Sequence, residues 1–106
     1  MHNQLVIWGT VYKSPYSMVS PAGIPIDHFW LDHRSQQWEA DLLRTAQCRI
    51  QVVSSGLALH QIVTTLMPGD PIEVRGFITR RPYKEYPNQI ELHAQYIAPT
   101  PQTKTI

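Results

Sequence analysis

Between Arg75 and His93 runs the segment RGFITRRPYKEYPNQIELH, and four of the chain's nine lysines and arginines (Arg75, Arg80, Arg81 and Lys84) fall in its first ten residues with no acid among them. Two tyrosines, Tyr83 and Tyr86, are interleaved with them between Pro82 and Pro87. Cationic side chains neutralise phosphates, and phenol rings stack on any nucleobase because every base has a π-face. This is the composition of a contact surface for an unpaired nucleic-acid strand. Glu85 between the rings keeps the attraction moderate. A solvated, charged hairpin that protects a sheet edge has the same composition, and the tyrosines could equally pack on the hairpin stem.

Other chemistry finds little support. The eight acids are scattered, with no paired motif for acid/base or two-metal work, and neither G-x-G-x-x-G nor G-x-x-x-x-G-K is present. The five histidines (His2, His28, His33, His60 and His93) have no spacing that resembles a zinc site. Cys48 alternates with Ala46 and Ile50 and is expected to be buried as a small apolar residue. No catalytic residue, metal or cofactor is expected, and an enzyme is not the expectation.

The chain of 106 residues carries a formal charge of +1 with a pI near 8.0. That length fits one domain with one core. Near-neutrality excludes a histone-like protein, so any nucleic-acid footprint depends on where the charges sit. One cysteine and no charged-then-apolar leader point to a cytoplasmic address. Apolar runs such as QLVIW and RIQVV are far shorter than the roughly 18 residues a membrane helix needs, so no membrane partner is expected.

The elements that must position the basic segment follow from periodicity. In LVIWGTVY, Leu5, Ile7, Gly9 and Val11 share one face, and Val6, Trp8, Thr10 and Tyr12 the other. Gly9 in mid-strand predicts a bend or bulge, although a bulge there would also put Trp8 in the core. SPAGIP is a turn by its chemistry. IDHFWLDHR is a second strand whose two faces both carry apolar groups, and SQQWEADLL reads as a loop or a turn of helix. TAQCRIQVV is a third strand. Leu59, Ile62, Val63 and Leu66 then fall at helical spacing, with serines before and Pro68-Gly69 after. PIEVRGFIT and QIELHAQYI close the series, with Ile72, Val74, Gly76 and Ile78, then Ile90, Leu92, Ala94 and Tyr96, as the inward sets. Three strands, one short helix and two strands is the order of an all-β, five-stranded Greek-key barrel, the OB fold, with a meandering α+β domain as the alternative. The domain is expected over residues 1–98, followed by a mobile tail over 99–106.

NQLVIWGTVYKSP, VSPAGIP, HFWLDHRS and VRGFI…LHAQYI resemble, in order and spacing, the bacterial primosomal replication protein N (PriB) family, a relative of the single-stranded DNA-binding proteins. The resemblance runs from about Asn3 to Ile97. It implies an OB-fold homodimer that binds single-stranded DNA and works in replication restart with the PriA helicase and DnaT. It also implies that Phe29 and Leu31 are core, so that His28, Trp30, Asp32 and Arg34 face outward. The loop between the fourth and fifth strands would extend the DNA groove. On the family's pattern, Arg34, Arg44 and Lys84 fall at DNA-contacting basic positions, and Lys13 keeps a basic residue after the first strand. Met18, Pro82 and Gln89 stand where well-studied members carry lysine, and Gln47 where they carry a stacking tryptophan. Arg80, Arg81, Tyr83, Tyr86 and Trp38 would compensate, shifting the groove.

Val6, Trp8 and Trp30 are candidates for the dimer interface, since exposed tryptophans mark interfaces and the family's dimer mode uses the first strand. Trp38 is a candidate for stacking, though a loop tryptophan can also plug a core. Two alternatives stay open: a protein-interaction adaptor of the primosome with feeble DNA contact, and an OB fold that takes RNA or an oligosaccharide.

Overall fold

The computed structural model describes residues 1–82 and 89–101. Its elements are β1 (Leu5–Val11), β2 (Tyr16–Val19), β3 (Pro25–Glu39), β4 (Leu42–Ser55), α1 (Leu57–Val63), β5 (Pro71–Arg80) and β6 (Ile90–Pro99). The five strands expected from periodicity are β1, β3, β4, β5 and β6. They lie in the order β1-β5-β6-β4-β3, and the sheet closes because β1 also pairs with β3. The pairing of β4 with β6 is parallel and the rest are antiparallel, which gives the OB barrel. The additional strand β2 folds back on the start of β3 across the Ser20–Ile24 turn, where the Gly23 N–H donates to the Ser20 carbonyl at 2.8 Å.

Alternation along the strands sends one face of each inward. The core consists of Val11, Phe29, Leu31, Val52, Val63, Ile72, Val74, Leu92, Ala94 and Ile97, and each fully buried large side chain stabilises the fold by roughly 1.5–3 kcal/mol. Helix α1 supplies Val63 to this core, with Leu59 and Leu66 packed against it. Ile62, expected on the same face, stays at the exposed rim. Asp27 shares the inward parity of Phe29 and is fully buried. It is satisfied by the Ser17 hydroxyl from β2 and by His60 Nδ1, 2.9 Å from Oδ2, so one carboxylate ties β2, β3 and α1 together.

Several expectations need correction. Gly9 makes no bulge, because β1 pairs with β5 without a break from Leu5↔Gly76 to Thr10↔Pro71. Its glycine is required by closure: a Cβ there would sit 2.3 Å from the Asp32 carbonyl oxygen. The bulge lies in β6 instead. Arg75 faces Tyr96 while Gly76 faces Ala94, which leaves Gln95 unpaired and reverses the parity beyond it. Tyr96 is therefore exposed, and Ile97 takes the inward place. Ile78 and Ile90, also expected inward, are exposed where β5 and β6 approach their connecting loop.

The segment SQQWEADLL is neither loop nor helix. It is the tip of a long hairpin whose pairing runs unbroken from Ile26↔Ser55 to Glu39↔Leu42. Ala40 and Asp41 turn it with φ of 51° and 61°, the two positive values of a type I′ connection. Since β1 reaches β3 only at Thr10↔Asp32 and Val11↔Leu31, the outer halves of β3 and β4 leave the barrel as a two-stranded arm. Cys48 lies on that arm and is exposed, not buried, because no core lies beneath it.

Gly76 is the tightest crossing, since a Cβ there would lie 1.9 Å from the His93 carbonyl oxygen. Gly76→Ala is expected to cost about 2–4 kcal/mol, read as a lower urea midpoint at unchanged m-value. Stability within about 0.5 kcal/mol of the parent would show that the crossing is looser than described.

Candidate nucleic-acid interface

Directly opposed residues of an antiparallel pair share a face. The outer face of β3 and β4 therefore carries the pairs Trp30↔Gln51, Asp32↔Arg49, Arg34↔Gln47, Gln36↔Thr45 and Trp38↔Leu43. Two open concavities lie along it. The first, about 530 Å³, opens beside the closure of the barrel and is lined by Asp32, Arg34, Gln47 and Arg49 among others. The second, about 430 Å³, is lined by Trp30, Arg49, Arg81, Gln89 and Ile90 among others. Cys48 and Arg49 line both, so the two adjoin on this part of β4, one beside the barrel closure and the other at the base of the β5–β6 loop, and together they are called the groove below. The face of these two strands and the loops beside it are where OB folds take oligonucleotides.

Arg34 and Gln47 stand opposite one another in the first concavity. Among the described residues no carboxylate pairs with Arg34, which leaves its guanidinium open to phosphate. Trp38 is on the same face further out along the arm and is 74% exposed, so it does not plug the core. Arg44 faces the other way, opposite Gln37, and pairs with Glu39 at 3.2 Å. The structure therefore does not bring it together with Arg34.

At the other end, Arg81 closes the base of the loop. Its backbone N–H donates to the Gln89 carbonyl at 2.9 Å and its Nη1 to Gln89 Oε1 at 2.7 Å. Its Cζ lies 5.9 Å from the Trp30 ring centroid, so both line the groove. Arg80 ends β5, exposed, with no carboxylate partner among the described residues. Lys13 follows β1 with Nζ 5.3 Å from the Tyr12 centroid. Tyr83, Lys84 and Tyr86 lie outside the described residues. Of the positions read as departures from the family pattern, Met18 is exposed on β2, Pro82 is exposed, and Gln89 is engaged by Arg81.

A second outer face is built by β1, β5 and β6. Trp8 Nε1 donates to Glu73 Oε1 at 2.6 Å, and Arg75 Nη2 meets Glu73 Oε2 at 2.9 Å. The Arg75 guanidinium lies 4.6 Å over the Tyr96 ring. The bond from Trp8, with the bonds and charge of Arg75, holds the Glu73 carboxyl below its ordinary pKa against the effect of burial. Val6 is exposed on the same face of β1. Trp30, by contrast, belongs to the groove, so the three candidate interface residues divide between two surfaces.

Three groove residues escaped the sequence reading as ligands. Asp32 takes Arg49 Nε at 2.6 Å and Arg49 Nη2 at 3.4 Å, and the Arg49 Cζ lies 3.5 Å from the Tyr12 ring centroid. Asp32's hydrogen bond raises the pKa of Arg49 above its ordinary value. Tyr12 and Arg49 are far apart in the chain, and only closure of the barrel brings them together.

A family model described as another single-strand binding protein family matches residues 3–96. The replication restart protein PriB of Photorhabdus laumondii is 45% identical over 95 residues, covering 90% of each chain. Among solved structures, PriB from Ralstonia solanacearum superimposes with a TM-score of 0.81 at 22% identity, over 94% of this chain and 99% of that one. The Plasmodium falciparum SSB in complex with ssDNA does so with a TM-score of 0.76 at 14% identity, over 95% and 96%. The last two likenesses establish the OB fold; the first two, by sequence, show that the chain belongs to the PriB family of single-strand-binding proteins.

Proposed function

We propose that the chain is a single-stranded DNA-binding accessory protein of replication restart, holding unpaired DNA along the outer face of β3 and β4. The observation that carries this reading is the pair of adjoining concavities on this face, one with Arg34, a cation without a carboxylate partner among the described residues, and the other with Trp30 beside Arg81. Membership of the PriB family supports the cellular role. The chemistry is binding, not catalysis: phosphate neutralisation by Arg34, Arg80, Arg81, Lys13 and Lys84, with stacking on Trp38, Tyr83 and Tyr86. A duplex conceals its bases from those rings and is held more weakly.

On this reading the protein acts as a homodimer that engages the PriA helicase and DnaT. Between Leu5 and Gly9, β1 pairs only with β5 among the described residues, so its other edge can accept the same edge of a second copy. Val6 and Trp8 then lie at the join. The adaptor reading also has an observation behind it. The Trp8–Glu73–Arg75–Tyr96 face is exposed and aromatic, and it is separate from the groove, so it could meet a protein while DNA is bound.

Fluorescence polarisation of labelled oligothymidine across a salt series tests the first reading. Four to six phosphate contacts give a log–log slope of roughly −3 to −4, and Arg34→Ala reduces its magnitude by about 0.7. Binding that is salt-insensitive, or no stronger than to the matched duplex, would contradict the groove and move the weight to the adaptor. Arg80, Arg81 and Lys84 changed together to Ala are expected to weaken oligothymidine binding by tenfold or more at moderate salt; unchanged affinity would remove the loop from the site. For the dimer, sedimentation should show Val6→Glu with Trp8→Ser as a monomer where the parent sediments as a dimer, and a dimeric variant would place the interface elsewhere.

A further inference from the structure

The groove's midpoint is built to a closer tolerance than either end. Arg49 projects from β4 at the junction of the two concavities, and its Cζ lies 3.5 Å from the Tyr12 centroid. That separation is the thickness of one aromatic layer, so the guanidinium rests on the ring. Its edge is held by Asp32 through two contacts, at 2.6 and 3.4 Å, which fixes its rotation. The Tyr12 main chain is fixed, because its N–H donates to the Trp30 carbonyl at 2.9 Å where β1 meets β3. The Arg49 side chain remains 48% exposed, and with the ring against one side of the guanidinium, the other side is the one left to offer a ligand.

Such a group is a poor phosphate ligand. Asp32 already neutralises its charge and occupies its strongest donors, whereas Arg34, on the same face of β3, has no carboxylate partner among the described residues. What a held, ring-backed guanidinium plane offers is a flat, polarisable surface, and bases stack on arginine planes as they do on aromatic rings. The adjoining Arg34↔Gln47 pair on the same face lies about 7 Å along the strands, a separation on the scale of one nucleotide.

We propose that Tyr12, Asp32 and Arg49 form a nucleobase-stacking platform, on which one unpaired base of the bound strand lies against the exposed face of the Arg49 guanidinium while Arg34 holds a neighbouring phosphate. This rests on the single-stranded DNA reading of the groove and deepens it. The platform takes a base without reading its edge, because both partners of the ion pair are spent on each other. It stands one residue pair from Gln47, the position where the family pattern places a stacking ring, and supplies a stacking surface at that end of the groove.

The test compares oligothymidine with an abasic strand of the same length, on the parent protein, on Tyr12→Leu, and on the charge-neutral double variant Asp32→Asn with Arg49→Gln. The parent is expected to prefer the base-bearing strand by tenfold or more, and each variant to lose about five- to tenfold of that preference while its abasic affinity and salt slope stay unchanged. A merely structural role would lower both affinities together and leave the preference intact. A preference changed by less than twofold in both variants overturns the platform. A parent that binds both strands equally overturns it while leaving the single-strand reading standing. A parent that binds neither strand at low salt overturns that reading and the platform with it.

Discussion

Closure of the barrel at Thr10↔Asp32 and Val11↔Leu31 is the constraint on which the rest depends. It is a short seam, and it demands that the β1 backbone approach β3 so closely that Gly9 has no room for a Cβ against the Asp32 carbonyl. Beneath the seam lie Val11, Phe29 and Leu31, all buried. Beyond it, β3 and β4 pair with no third strand among the described residues and continue as the arm. The seam thus divides core from groove, and the Tyr12–Arg49–Asp32 cluster sits on the dividing line. Packing and ligand geometry have one origin there: the crossing that seals the core also delivers the end of β1 to the groove.

Charge distribution explains how a chain of net charge +1 can present a phosphate surface. Arg44, Arg49 and Arg75 each face a carboxylate, Glu39, Asp32 and Glu73 respectively. The two exposed pairs, Arg44–Glu39 and Arg49–Asp32, add little to stability, and all three remove a cation from the outer surface as an independent charge. What remains positive and unopposed among the described residues is concentrated at Arg34, Arg80 and Lys13, along or beside the groove. Local placement, not total charge, gives the surface its sign. Asp27 is the counterpart inside: a buried carboxylate is tolerated because Ser17 and His60 satisfy it.

The barrel was legible because its strands obey a period of two over a core of Val, Ile, Leu and Phe, and because helix-spaced Leu59, Val63 and Leu66 break that period once. Val6, Trp8 and Tyr12 read as outward, and they are. Legibility failed where the physics is not periodic. The bulge at Gln95 leaves no mark on composition, so Tyr96 was assigned the inward place that Ile97 holds. The arm's turn uses Ala40 and Asp41 in place of the Asn-Gly or Gly-Gly that would announce it, so the hairpin tip reads as a loop or a turn of helix. Cys48 alternates with apolar neighbours but lies past the seam, where alternation no longer means burial. For the candidate site, Arg34 and Gln47, expected from the family resemblance, and Arg81, expected from the basic segment, line the groove; Arg44, expected from the same resemblance, faces the other side of the arm. Tyr12, Asp32 and Arg49 were missed because their association depends on closure, which no local pattern encodes.

The most direct test of the central claim, that unpaired DNA lies on the outer face of β3 and β4, is amide chemical-shift mapping of the labelled protein titrated with a short oligothymidine. The perturbed amides are expected to cluster at Trp30, Asp32, Arg34, Gln47, Arg49 and Arg81. Perturbations confined to Val6, Trp8, Arg75 and Tyr96 would contradict it, as they would put the strand on the opposite wall of the barrel.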